Sequence, residues 1–121
     1  MKRGKSTCKP TKAEQARLDV LHNMECICCS MIGIDQPNRT TVHHLVDRGT
    51  RKHSGGHSAT LPLCQWHHQG TPKEGYQACD MEAKWGPSLE LTKKRFIAEF
   101  GTERELLEKV NEMLRVIHAN D

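Results

Sequence analysis

The chain has 121 residues, 36% apolar and 4% aromatic, with six cysteines, eight histidines and a formal charge of +3. That length reads as one domain with a core small enough to need a metal or a disulfide as a supplement. No apolar run reaches the ~20 residues that cross a bilayer, and the opening MKRGKSTCKP lacks the apolar stretch of a secretory signal; a reducing cytoplasm is therefore expected, with the cysteines read as thiols or metal ligands.

Residues 1–10 read as a basic flexible arm and 11–121 as the single folded domain. As far as residue 17 the chain sets Lys2, Arg3, Lys5, Lys9, Lys12 and Arg17 against Glu14 alone. That balance is compatible with contact with a phosphate backbone, but the arm by itself reads first as a solvated tail. PTKAEQARLDVLHNM predicts a helix, with Thr11 and Glu14 as its capping box and Ala16, Val20 and Leu21, or Leu18 with Leu21, as its apolar stripe. ECICCSMIGIDQPNRT reads as a non-helical cysteine knuckle that runs into a turn at Pro37 and Asn38.

TTVHHLV is β-branched and short, and predicts a strand; TLPLC predicts a second one. The stretch between them, DRGTRKHSGGHSA, is rich in glycine, serine and charge and reads as an exposed loop. QWHHQG opens a helix, and residues 70–87 read as a loop with a short helical piece. LTKKRFIAEFG predicts a helix capped by Thr92 and ended by Gly101. TERELLEKVNEMLRVIHAN predicts another, with a capping box from Thr102 to Glu105 and an apolar face of Leu106, Val110, Met113 and Ile117 beside Leu107 and Leu114.

The chemistry lies in the cysteines and histidines. Cys26 and Cys29 form a C-x-x-C, and Cys64 with His67 a C-x-x-H, so two paired motifs offer the four nitrogen or sulfur ligands of a structural zinc. Cys28 can replace either neighbour, while Cys8 and Cys79 read as free thiols. Removing His67 from the two doublets leaves His43, His44 and His68. Neighbours on a strand face opposite ways, so His43 and His44 cannot readily chelate one ion together, and one of them can bind metal while the other stands free for a substrate. Trp66 and Trp85 read as packing residues rather than platforms for bases. Arg48, Arg51 and Lys52 follow the strand, where they can hold a nucleic-acid backbone or simply form a charged loop.

A C-x-x-C knuckle, a strand ending in His-His and LCxxHH entering a helix resemble the HNH, or ββα-metal, nucleases. HHLVDRG, LPLCQWHHQG, GPSLEL and FGTERELL, in that order between Cys26 and Leu114, are similar to the phage-encoded recombination-enhancement (Ref) nucleases and their prophage relatives. The resemblance implies an α+β fold, a zinc-stapled ββα-metal core with an N-terminal helix and two C-terminal ones. It implies a metal-dependent DNA endonuclease in which His44 is the general base, His43 and His68 hold a catalytic divalent ion (magnesium or manganese, with zinc as an alternative), and His57, or His53 in its place, orients the base. It further implies action on DNA with the host recombinase RecA on single strands, in a bacterial cytoplasm. A non-catalytic zinc module that binds nucleic acid or protein would explain the cysteines and the arm, but it leaves His43, His44 and His68 without a task.

Overall fold

A computed structural model describes residues 9–119, and side chains as far as residue 116. The arm as far as Cys8, and the side chain of Ile117, lie outside the described residues. Among those described, the elements in chain order are α1 (Lys12–His22), α2 (Ile27–Ile32), β1 (Thr40–His44), a 3-10 turn (Gly56–Ser58), β2 (Thr60–Cys64), α3 (Gln65–Gln69), α4 (Ala78–Trp85), α5 (Lys93–Phe100) and α6 (Glu103–Ala119). The fold is α+β: an antiparallel hairpin of β1 and β2 wrapped by helices.

Helix α1 starts as its sequence dictates. The Thr11 hydroxyl accepts from the Glu14 N–H at 3.2 Å and the Glu14 carboxylate accepts from the Thr11 N–H at 2.9 Å. Its buried side is the Leu18 and Leu21 alternative, Leu21 being fully buried. Ala16 and Val20 instead border an open groove with Leu114. Arg17 does not belong with the basic arm. It crosses to β2 and α6, where Nε donates to Thr60 Oγ1 at 2.8 Å, one Nη to the Thr60 carbonyl at 2.8 Å and the other to Asn111 Oδ1 at 2.9 Å.

The segment expected to be non-helical contains α2. Cysteine and isoleucine are weak helix formers, so propensity does not announce these six residues; burial of Ile27, Cys28 and Cys29 makes the turn. Gly33 ends it at φ 74°, a left-handed conformation that suits a residue without a side chain, and its N–H reaches the Cys29 carbonyl at 2.9 Å. The segment at 70–87 contains, as expected, a short helix, α4, at whose start the Asp80 carboxylate accepts from the Gln77 N–H at 3.0 Å.

Every residue of β2 is buried. The register sets Val42 opposite Pro62, His43 opposite Leu61 and His44 opposite Thr60. Helices α5 and α6 close the core with Phe96, Phe100, Leu106, Leu107 and Val110, and Met113 and Leu114 pack at its margin. The Thr102–Glu105 box forms at both ends, at 2.8 and 3.1 Å. Both tryptophans are buried: Trp66 Nε1 donates to the Gly86 carbonyl and Trp85 Nε1 to that of Asp35, at 2.9 and 2.8 Å. Such rings serve as packing and have no face left for a base.

Candidate metal cluster and histidine site

The knuckle at the start of α2 and the junction of β2 with α3 bring Cys26, Cys29, Cys64 and His67 together. Their ligand atoms lie within 4.8 Å of one another, and all four residues are buried. The three sulfurs stand 3.5, 3.6 and 3.3 Å from His67 Nδ1, and Cys29 and Cys64 are 4.0 Å apart. With zinc bonds of ~2.3 Å to sulfur and ~2.0 Å to nitrogen, a tetrahedron requires edges of roughly 3.5 and 3.8 Å. These four spacings lie close to such edges, so the cluster could hold a zinc ion.

The orientation of His67 agrees. Its Nε2 is 2.8 Å from the Trp85 carbonyl, which can only accept, so Nε2 carries the proton and Nδ1 faces the sulfurs. Burial opposes charge on Cys26, yet hydrogen bonds from Cys28, Cys29, Cys64 and His67 outweigh it and hold that thiol well below its ordinary pKa. Burial likewise opposes charge on His67, but hydrogen bonds and charge from Cys26 and Cys64 raise it to about 10. The cluster thus favours positive charge at its centre. Cys28 is buried beside the group without belonging to it, and burial pushes its thiol up. Cys79 is exposed. Among the described residues, no other set of three or more Cys, His, Asp or Glu gathers its ligand atoms this closely.

The remaining histidines sit on and beside β1, and alternation sends the doublet in two directions. His43 meets the ring of His68 edge-on, with centroids 5.0 Å apart at 69°. Its Nε2 is 2.8 Å from a carboxylate oxygen of Glu103 at the start of α6. His43 and His68 line a pocket of about 260 Å³ with Val46, Leu89, Glu90, Lys93 and Glu103. His68 Nδ1 is 2.7 Å from Thr41 Oγ1. That hydroxyl spends its own proton on the Leu63 carbonyl at 2.8 Å, so Nδ1–H is the donor and Nε2 keeps the lone pair.

His44 turns instead to the 3-10 turn, where its Nε2 is 3.0 Å from His57 Nδ1. His53 does not reach it; His53 Nδ1 pairs with Thr50 Oγ1 at 3.0 Å. His57 is backed from behind, since Thr60 Oγ1 donates to its carbonyl at 3.2 Å while accepting from Arg17. Burial, then the charges of Arg51, His57 and His43, lowers His44 to about 4. Burial, then the charges of His43, Arg51 and His44, does the same to His68. Both rings are therefore neutral at pH 7.

Arg48, Arg51 and Lys52 are exposed on the loop after β1. That loop is pinned by Arg104, which grips the Asp47 carboxylate at 2.8 and 3.0 Å and the Ser54 carbonyl at 3.1 Å. Glu103 and Lys93 escape the sequence reading. An acid in a first helical turn is ordinary, and nothing local links either residue to a strand so far away.

The fold and its sites define a small α+β domain with a Cys3His cluster suited to a structural metal and, one residue beyond its last ligand, a histidine pocket. A family model described as recombination enhancement, RecA-dependent nuclease, matches residues 10–115, and the chain belongs to that family. No solved structure matches it. No helix among the described residues is long and apolar enough to cross a membrane.

Proposed function

We propose that the protein is a metal-dependent DNA endonuclease of the HNH type, acting with RecA on single-stranded DNA in the bacterial cytoplasm. The family description supports nuclease chemistry in a RecA-dependent setting. The observation that carries the residue roles is the split of the doublet, His44 on His57 and His43 facing His68.

In this reading His44 Nε2–H donates to His57 Nδ1, which leaves His44 Nδ1 to take a proton from the attacking water. Its depressed pKa keeps that nitrogen unprotonated at neutral pH. His57 holds the ring at a fixed angle and shares the charge that the proton brings. Arg17 and Thr60 hold His57 in turn.

His43 and His68 would hold a divalent cation, magnesium or manganese, which supplies positive charge to the scissile phosphate and the leaving 3′ oxygen. Two imidazoles do not close a ligand set, and an open set suits an ion that must also bind water and phosphate. Arg51 and Lys93 bracket these histidines and bind the flanking phosphates. Cys26, Cys29, Cys64 and His67 would hold zinc as a structural ion.

The test is His44→Ala, purified with its zinc and incubated with RecA, single-stranded and duplex DNA, and magnesium or manganese. Loss of a general base lowers cleavage by about 10²–10⁴-fold. Cleavage at the unaltered rate by a folded variant refutes the role of His44. If the unaltered protein binds DNA but cuts under no condition, a non-catalytic zinc module is the better account.

A further inference from the structure

Glu103 is a buried carboxylate that no role above uses. It is 4% exposed and is the only acid among the buried polar residues described. Burying a carboxylate is costly unless partners repay it, and capping does not explain this one. The box that starts α6 is complete with Thr102 and Glu105 alone. Both partners of Glu103 lie instead at the end of β1: His43 Nε2 at 2.8 Å and the Val46 N–H at 3.3 Å from the same carboxylate oxygen.

We propose that Glu103 is the positioning residue of the histidine pocket: it accepts the Nε2 proton of His43 and so fixes that ring with Nδ1 as its electron-pair donor. This rests on the reading of His43 as a ligand of the divalent ion. An imidazole has one proton for two nitrogens, and the partner of one nitrogen decides which lone pair remains. His68 shows the same construction with a different acceptor, its Nδ1–H being committed to Thr41. Each ring facing the pocket thus has one nitrogen tied to the protein. A carboxylate partner also makes imidazole a stronger donor, and its removal typically weakens metal binding 10–100-fold. Because Glu103 comes from α6 and His43 from β1, this contact ties the set of the last helix to the aim of the ring.

The experiment uses the ¹⁵N-labelled full chain with its zinc retained, at pH 8, and reads the protonated nitrogen of His43 by long-range ¹H–¹⁵N correlation. Mn²⁺ alone is then titrated by calorimetry. The unaltered protein should carry the His43 proton at Nε2. Glu103→Ala should lose that preference and bind Mn²⁺ 10–100-fold more weakly. Glu103→Gln, which still offers an amide oxygen to Nε2–H, should keep the preference and lose less affinity; it stands in if Glu103→Ala does not fold. A His43 proton at Nδ1 in the unaltered protein, or unchanged Mn²⁺ affinity in Glu103→Ala, overturns the proposal. Unchanged Mn²⁺ affinity in His43→Ala instead overturns His43 as a ligand, a failure visible apart from the tautomer.

Discussion

Replacing Cys29 by serine tests how far this fold depends on a metal. Its sulfur is 3.6 Å from His67 Nδ1 and 4.0 Å from the Cys64 sulfur, close to the edges of a zinc tetrahedron, so binding calls for little rearrangement. Structural zinc contributes on the order of 10–16 kcal/mol of apparent free energy. A chain of this length has a total stability of roughly 6–18 kcal/mol, at about 0.05–0.15 kcal/mol per residue. A zinc bound there would account for most or all of that margin. Cys29→Ser should therefore purify without stoichiometric zinc and lose its cooperative thermal transition in far-ultraviolet circular dichroism, and a strong chelator should do the same to the unaltered protein. Cys28→Ala is the control: Cys28 is buried beside the cluster yet outside it, so the loss should be the ~1 kcal/mol of a small core truncation, with zinc retained. The reasoning is refuted if the chelated protein melts within a few degrees of the loaded one, or if Cys28→Ala loses zinc as Cys29→Ser does.

Arg17→Met should lower stability by about 2–4 kcal/mol in urea denaturation, because it strips charged hydrogen bonds from the buried Thr60 and from Asn111; a loss below 0.5 kcal/mol would count against the clamp. His44 and His68, both lowered to about 4, bind fewer protons folded than unfolded. Their contribution to stability is thus fully present above pH ~6.5 and is lost as pH falls toward 4, and a urea midpoint that stays flat over that window would contradict it. Arg51→Ala should reduce the slope of log binding constant against log salt for DNA by about 1, and an unchanged slope would mean that Arg51 touches no phosphate.

Local signals predict what local forces make. The capping boxes at Thr11 and Thr102, the β-branched run before His43 and the C-x-x-C and C-x-x-H spacings all act within a few residues, and the elements stand where those signals put them. Helix α2 was hidden because its residues are helical by burial rather than by propensity. Arg17 looked like one more cation of a basic arm, and only the return of β2 against α1 gives it Thr60. Glu103 was illegible for the same reason, since 60 residues of chain separate it from His43. The spacing of Cys26, Cys28 and Cys29 left open which two of them are ligands, and the geometry of the turn leaves Cys28 out.

The junction of β2 and α3 puts His67, a member of the cysteine cluster, one peptide bond from His68, a wall of the histidine pocket. If both sites hold the ions proposed above, the one that shapes the protein and the one that cuts would share a hinge pin. Losing the first would take away the frame that aims the second, so a stripped copy should lose cutting together with its fold.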